Sequence, residues 1–152
     1  MSGAVIVGVD GSAASVRALR WAVSVAAGQQ WDVEVVTAWP HTGPVFVREV
    51  PGHHSDARER ARSAQRDAVH AALGDAPRDV RVTTVLENAR PGDALSLHAT
   101  DSPLLVLGDS GDAVGAHERP ESLAGWCRTR LGCAVALVPA DGAVHVLTPV
   151  RP

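Results

Sequence analysis

The sequence predicts an α/β protein, a doubly wound sheet of five parallel strands with helices on both faces. Three observations carry this. Residues 4–9 form an unbroken, mostly β-branched apolar run, the pattern of a strand buried on both faces. Strand-like and helix-like segments then alternate to the end of the chain, which calls for parallel strands joined by right-handed crossovers. Glycine, proline or aspartate punctuates the junctions. At 152 residues the chain has the size of one domain, with enough length to bury a real core.

The elements follow in order. After the first strand, Asp10, Gly11 and Ser12 make a turn with a helix-capping residue. Val16, Leu19, Val23 and Ala26 recur at helical spacing, and Gly28 is the expected stop. Residues 32–39 read as the second strand, closed by Pro40, and residues 41–55 as a loop. The Ala/Arg-rich stretch 56–73 has no breaker and reads as a helix ended by Gly74. Residues 79–86 read as the third strand. The turn Arg90-Pro91-Gly92-Asp93 leads into a short helix through Ala99, with Asp93 as its expected cap. Residues 104–107 are the fourth strand, 108–119 a loop, 120–131 a helix and 133–138 the fifth strand. The tail 143–147 is the candidate for a sixth, edge strand.

Composition narrows the function classes. Apolar residues make up 45% and charged residues 20%, as in an ordinary globular protein, and the net charge is −3. The basic residues are scattered, which argues against a nucleic-acid or anionic-membrane surface. All of the Lys/Arg positions are Arg, so Schiff-base chemistry and a P-loop lysine are both excluded. The apolar run 4–9 is too short to span a bilayer, and no charged segment precedes it. The expected location is the cytoplasm, with Cys127 and Cys133 reduced and packed rather than bridged.

Ligands of open α/β sheets sit at the carboxyl ends of the strands, where the strand order reverses. Two glycine turns fall at such ends: Gly8 to Ser12, and Gly108 to Gly111 ahead of a helix. Glycine lets backbone N–H groups approach an anion, and a helix N-terminus adds its dipole. Neither turn is a Walker loop or a Gly-x-Gly-x-x-Gly fingerprint. Taken alone, each is equally well a chain reversal.

In combination the segments resemble the universal stress protein family. The resemblance rests on residues 5–12 (Val-Ile-Val-Gly-Val-Asp-Gly-Ser), Ser15, residues 18–22, residues 87–95 with Arg90-Pro91, residues 104–108 with Gly111, Ser122, and residues 133–139. It spans residues 4 to about 139. It implies a fold of five parallel strands, a homodimer and a role in stress response. It also implies a pocket for an adenine nucleotide, ATP in many members. The family pattern is Gly, two residues, Gly, nine residues, Gly, then Ser or Thr. Here Gly108, Gly111 and Ser122 match it. The resemblance places Asp10 and the backbone near Ala38 on the adenine and ribose side, and Gly11, in the first glycine turn, is a further expected binding residue.

The third glycine is missing. Glu121 stands in its place, with Asp109, Asp112 and Glu118 nearby and Arg119 as the lone cation. Two like charges 4 Å apart repel by about 4 kcal/mol at an intermediate dielectric, and ~1.4 kcal/mol is already tenfold in affinity. Pro120 also removes an N–H from the helix start. The expectation is impaired ATP binding, with ATP or AMP held only weakly, and a protein that works as a dimeric interaction module. Two alternatives stay open. A Mg²⁺ ion could be shared between these carboxylates and a triphosphate. Glu121 could also simply complement the helix dipole, filling the protein's own anion site.

The remaining features are weighed briefly. His53-His54 lack a third ligand at metal spacing, so a loop reading is preferred. Of Trp21, Trp31, Trp39 and Trp126, only Trp39 lies at a strand's carboxyl end, where it could stack a base. Arg58, Arg62 and Arg66 share one helix face, read as solvated and alternatively as a surface for an acidic partner. The sequence offers no defensible Ser/His/Asp arrangement and no pair of carboxylates with a reason to differ in pKa. The expected class is therefore a binding protein, not an enzyme. Val135, Leu137 and the tail 143–147 are the expected edge for pairing with a second copy.

Overall fold

A computed structural model describes residues 3–39, 56–74, 79–109 and 122–149. Its element order is β1 (Ala4–Gly8), α1 (Ala13–Gln29), β2 (Asp32–Ala38), α2 (Asp56–Leu73), β3 (Val82–Glu87), α3 (Pro91–Ala99), β4 (Leu104–Gly108), α4 (Leu123–Arg130), β5 (Ala134–Val138) and β6 (His145–Leu147). The sheet runs β3-β2-β1-β4-β5-β6. β1 to β5 are parallel, and β6 returns antiparallel along β5. The expected five-stranded core and its extra edge strand are both present.

Alternation along each strand sorts the core into two layers. Val5, Val7 and Val9 face α1 and α2, together with Val33, Val35 and Val106. Ile6, Val36, Leu105 and Leu107 face α3 and α4. Helices on both faces of a parallel sheet explain why these strands read as continuous apolar runs. α1 carries Ala14, Ala18, Ala22 and Ala26 every four residues, all buried. That stripe of small side chains lets the helix lie close against the sheet. Gln65 of α2 is buried at 5% exposure, yet its Nε2 donates to the carbonyls of Val85 (2.8 Å) and Val35 (3.4 Å). A satisfied polar group thereby pins α2 across β2 and β3.

Several element ends differ from the sequence expectation, each for a local reason. α1 does not stop at Gly28. It runs on to Gln29 and closes on Gln30, which takes the left-handed conformation at φ 60° and donates its N–H to the Ala26 carbonyl. Gly28 faces open space, so nothing forces a break there. β3 begins at Val82 rather than residue 79, because its register against β2 starts at Val33↔Val82. Asp93 does not cap α3. Arg90 occupies the cap with Pro91 as the first helical residue, and Asp93 sits inside the first turn. Proline suits that position because its missing N–H would be unpaired there anyway. α4 begins after Ser122, whose hydroxyl accepts from the Gly125 N–H at 2.9 Å. Pro120, at the expected start of this helix, lies outside the described residues. α2 matches its expected span and ends on Gly74 at φ +62°.

Val135 and Leu137 do not lie on an open edge. Val135 pairs with Leu147 and Leu137 with His145. The outer strand on this side is β6 itself. No helix among the described residues is long and apolar enough to cross a membrane.

Candidate functional site

Strand order reverses between β1 and β4: the chain winds outward through β2 and β3, then crosses back to β4 on the other side of β1. Chains that wind away in both directions leave a crevice at the carboxyl ends of the two central strands. A cavity of about 340 Å³ lies there. Its floor is apolar, made by Val36, Leu107 and Leu137 at the ends of β2, β4 and β5. One wall is Pro91, Ala94 and Leu95 of α3. Asp10, Ser12 and Ser15 form a polar rim on one side, and Gly108, Asp109 and Ser122 form the other.

The rim is held by hydrogen bonds that follow from the turn chemistry. Asp10 Oδ1 accepts the Ser12 N–H at 2.9 Å, closing the turn after β1. Ser12 caps α1, its Oγ accepting from the Ser15 N–H at 3.2 Å, and the Ser15 hydroxyl donates back to the Ser12 carbonyl at 2.9 Å. The buried Thr37 hydroxyl donates to the Val9 carbonyl at 2.7 Å and so fixes the end of β1 to β2. Burial pushes the Asp10 carboxyl up, but hydrogen bonds from Ser12 and Ser15 outweigh it and leave it below the ordinary carboxylate value. Asp10 is thus an ionised acceptor on the rim at neutral pH.

Of the site residues expected from sequence, Asp10, Ala38, Gly108 and Ser122 come together around this cavity. Gly11 is not part of the lining. Its φ is +89°, and a Cβ there would come within 3.0 Å of Ala64 on α2, so the glycine serves the turn and the helix contact. Gly108 lines the cavity, yet the space its side chain would need is filled by the backbone and Cβ of Ala14. Both glycines therefore have packing reasons that are independent of any anion. Gly111, Glu121 and Arg119 lie outside the described residues, as do His53 and His54.

None of the four tryptophans lines the cavity. Trp39 is buried just past β2, and its backbone N–H donates to the Glu87 carbonyl at 2.9 Å. Trp126 packs on Gly92 of α3 and carries the Arg130 guanidinium 4.9 Å above its ring. Cys127 and Cys133 are free and buried, and burial pushes the Cys127 thiol up to about 12. Arg62 and Arg66 are exposed and Arg58 is half-buried. No group of three or more His, Cys, Asp or Glu side chains among the described residues is placed to hold a metal ion.

Sequence reasoning missed the α3 wall and Ser15. Pro91, Ala94 and Leu95 reach the cavity only because α3 crosses over β2 and β1, which the sheet order decides. It also missed a three-residue cluster beside the cavity, in which His98 sits between Glu34 and Glu87.

The family model described as the universal stress protein family matches residues 1–119. The chain belongs to that family. Three solved structures share the fold. A universal stress protein in complex with cAMP superposes with a TM-score of 0.64 at 21% identity, covering 91% of this chain and 98% of that one. The universal stress protein UspA from Lactobacillus plantarum gives 0.59 at 19%, covering 90% and 97%. An Arabidopsis thaliana universal stress protein family protein with AMP bound gives 0.55 at 14%, covering 92% and 93%. No curated protein matches the sequence significantly. In this universal stress protein the cavity joins an apolar floor to a polar rim that includes Asp10.

Proposed function

We propose that this universal stress protein is a regulatory binding protein whose cavity takes an adenine nucleotide with few phosphates, and that ATP is a poor ligand for it. The observation that carries the reading is the two-sided cavity. An apolar slot between the strand ends and α3 faces a polar rim led by Asp10. Flat apolar bases and hydroxyl-bearing sugars divide in the same way, and small-molecule sites commonly combine an apolar lining with a few placed polar groups. Two proteins of the same fold, described as complexes with cAMP and with AMP, support an adenine nucleotide as the class. The acidic residues argue against three phosphates. Asp109 sits on the rim, and Glu121 replaces the motif glycine in the sequence. The role is binding and signalling rather than catalysis, with a homodimer as the working assembly.

A second reading is favoured by Ser122. Its hydroxyl already accepts the Gly125 N–H, so the protein partly satisfies the N-terminus of α4 by itself. On that reading the domain is a dimeric interaction module with no nucleotide.

Titration calorimetry with AMP, cAMP and ATP, each with and without Mg²⁺, separates the two. The expected result is AMP or cAMP binding at least about tenfold tighter than ATP, a difference of ~1.4 kcal/mol. ATP binding as tightly as AMP would overturn the impairment. Absence of binding by all three would leave the interaction module. Steady ATP turnover abolished by Asp10→Ala would overturn the non-catalytic reading.

A further inference from the structure

His98 of α3 stands between two carboxylates. Its Nδ1 lies 2.6 Å from Glu34 Oε1 on β2, and its Nε2 lies 2.7 Å from Glu87 Oε1 at the end of β3. All three side chains are largely buried, at 20–28% exposure. A neutral imidazole has one N–H and one lone pair, while an ionised carboxylate only accepts. With both glutamates ionised, both contacts are hydrogen bonds only when both ring nitrogens carry a proton.

The cluster sits behind the cavity wall. His98 is one helical turn beyond Ala94 and Leu95, the α3 residues that face the cavity. Glu87 is the register partner of Ala38, another lining residue. The rest of α3 is held to the sheet mainly by apolar contacts of Ala94, Leu95 and Ala99, which do not fix its rotation or slide by themselves. Two charge-assisted bonds to two different strands do. The ionisable groups in contact with the ring are Glu34 from β2 and Glu87 from β3, and Asp32 of β2 and the exposed Arg81 just before β3 lie further along the same face. β1 contributes none. On α4, Arg128 is bonded to the Thr148 carbonyl, Arg130 stacks on Trp126, and Cys127 lies in the core. On the chain of α3 itself, Asp93 is exposed in the first turn and Asp101 is exposed beyond the end.

We propose that His98 is a positioning residue, a protonation-dependent clamp that holds α3, and with it one wall of the cavity, against β2 and β3. The clamp is closed while the ring is doubly protonated and the carboxylates are ionised. Loss of the ring proton breaks one of the two bonds and turns that contact into lone-pair repulsion, so the wall loosens as pH rises. The ligand consequence rests on the nucleotide reading of the cavity, but the clamp itself does not.

The test uses the unliganded native chain. Nitrogen-15 spectra of the imidazole report whether both ring nitrogens are protonated, and amide hydrogen exchange reports the protection of α3, both followed across about pH 5 to 9. The expected result is a doubly protonated His98 at the acid end. Exchange in α3, corrected for its intrinsic rate, should rise roughly tenfold over the same pH interval in which the ring loses its proton, the scale of one charge-assisted bond. In Glu87→Gln or Glu34→Gln, that pH dependence should flatten while the fold persists. A single neutral tautomer at His98 with α3 fully protected would overturn the clamp. So would an unchanged pH profile in a folded His98→Gln variant. If AMP binds, its affinity should fall by a similar factor over the same interval. If AMP binds at no pH, the nucleotide reading fails, and the spectra and exchange data still decide the clamp.

Discussion

Position 108 has no room for a side chain. A Cβ there would lie 2.8 Å from the Cβ of Ala14 and would overlap the Ala14 carbonyl. The end of β4 and the first turn of α1 are thus in backbone contact at the point where the strand order reverses. Gly108→Ala should destabilise the protein by the upper part of the ~1–3 kcal/mol range for overpacking, because the obstruction is backbone and cannot swing away. Gly28→Ala is the contrast. That glycine lies inside α1 with nothing within 4 Å of the added atom, so the change should stabilise by roughly 0.5–1 kcal/mol. Urea unfolding midpoints of the two variants should move in opposite directions.

Ser122 links stability to the cavity. Removing its cap to Gly125 in Ser122→Ala should cost about 1 kcal/mol. Ser122→Asp keeps a capping acceptor and adds a negative charge on the rim. Thermal unfolding should therefore fall for the alanine variant and stay near the native value for the aspartate variant. Calorimetry with AMP should show the reverse ranking, with the aspartate variant binding worst.

The thiols set an alkaline limit. Burial raises the Cys127 thiol to about 12 from an ordinary value of 9.0. A group whose folded value is raised contributes stability that is complete below the unfolded value and is lost as pH climbs toward the folded one. Stability should therefore begin to fall near pH 9 and keep falling toward pH 12. Replacing Cys127 with Ala should reduce that alkaline loss, although the variant starts less stable. In the native protein near neutral pH, a thiol reagent should label Cys127 and Cys133 only at the rate of unfolding. Fast stoichiometric labelling of either would contradict their burial.

How much of this was readable from the sequence depends on the range of the interaction that decides it. The first two strands were legible because a β-branched run buried on both faces is a local pattern. α2 was legible in full because nothing inside it competes with helix and Gly74 ends it. The end of α1 was not, because a left-handed Gln30 returning a bond to Ala26 outcompetes the local signal of Gly28. Residue type alone points to Asp93 as a cap, but Pro91 two residues earlier decides the start of α3. At the site, Asp10, Ala38, Gly108 and Ser122 could be placed because glycine turns at strand ends mark a crevice. The two glycines looked like phosphate contacts, and Gly11 and Gly108 prove to be tight against Ala64 and Ala14. The Glu34–His98–Glu87 cluster left no trace in the sequence, since its members come from three elements brought together only by the strand order.

The short antiparallel β6 has a consequence for assembly. A parallel sheet that ended at β5 would offer a second copy a ready template. Here the chain's own tail already occupies it, through Leu147 and His145. A tethered strand is present at a high effective concentration, so a visiting strand competes with a neighbour that never leaves. Sheet-to-sheet pairing through β5 then becomes an exchange reaction, in which one tail must be displaced before another strand can dock. Trimming the tail would lower that barrier without altering a single residue of β5.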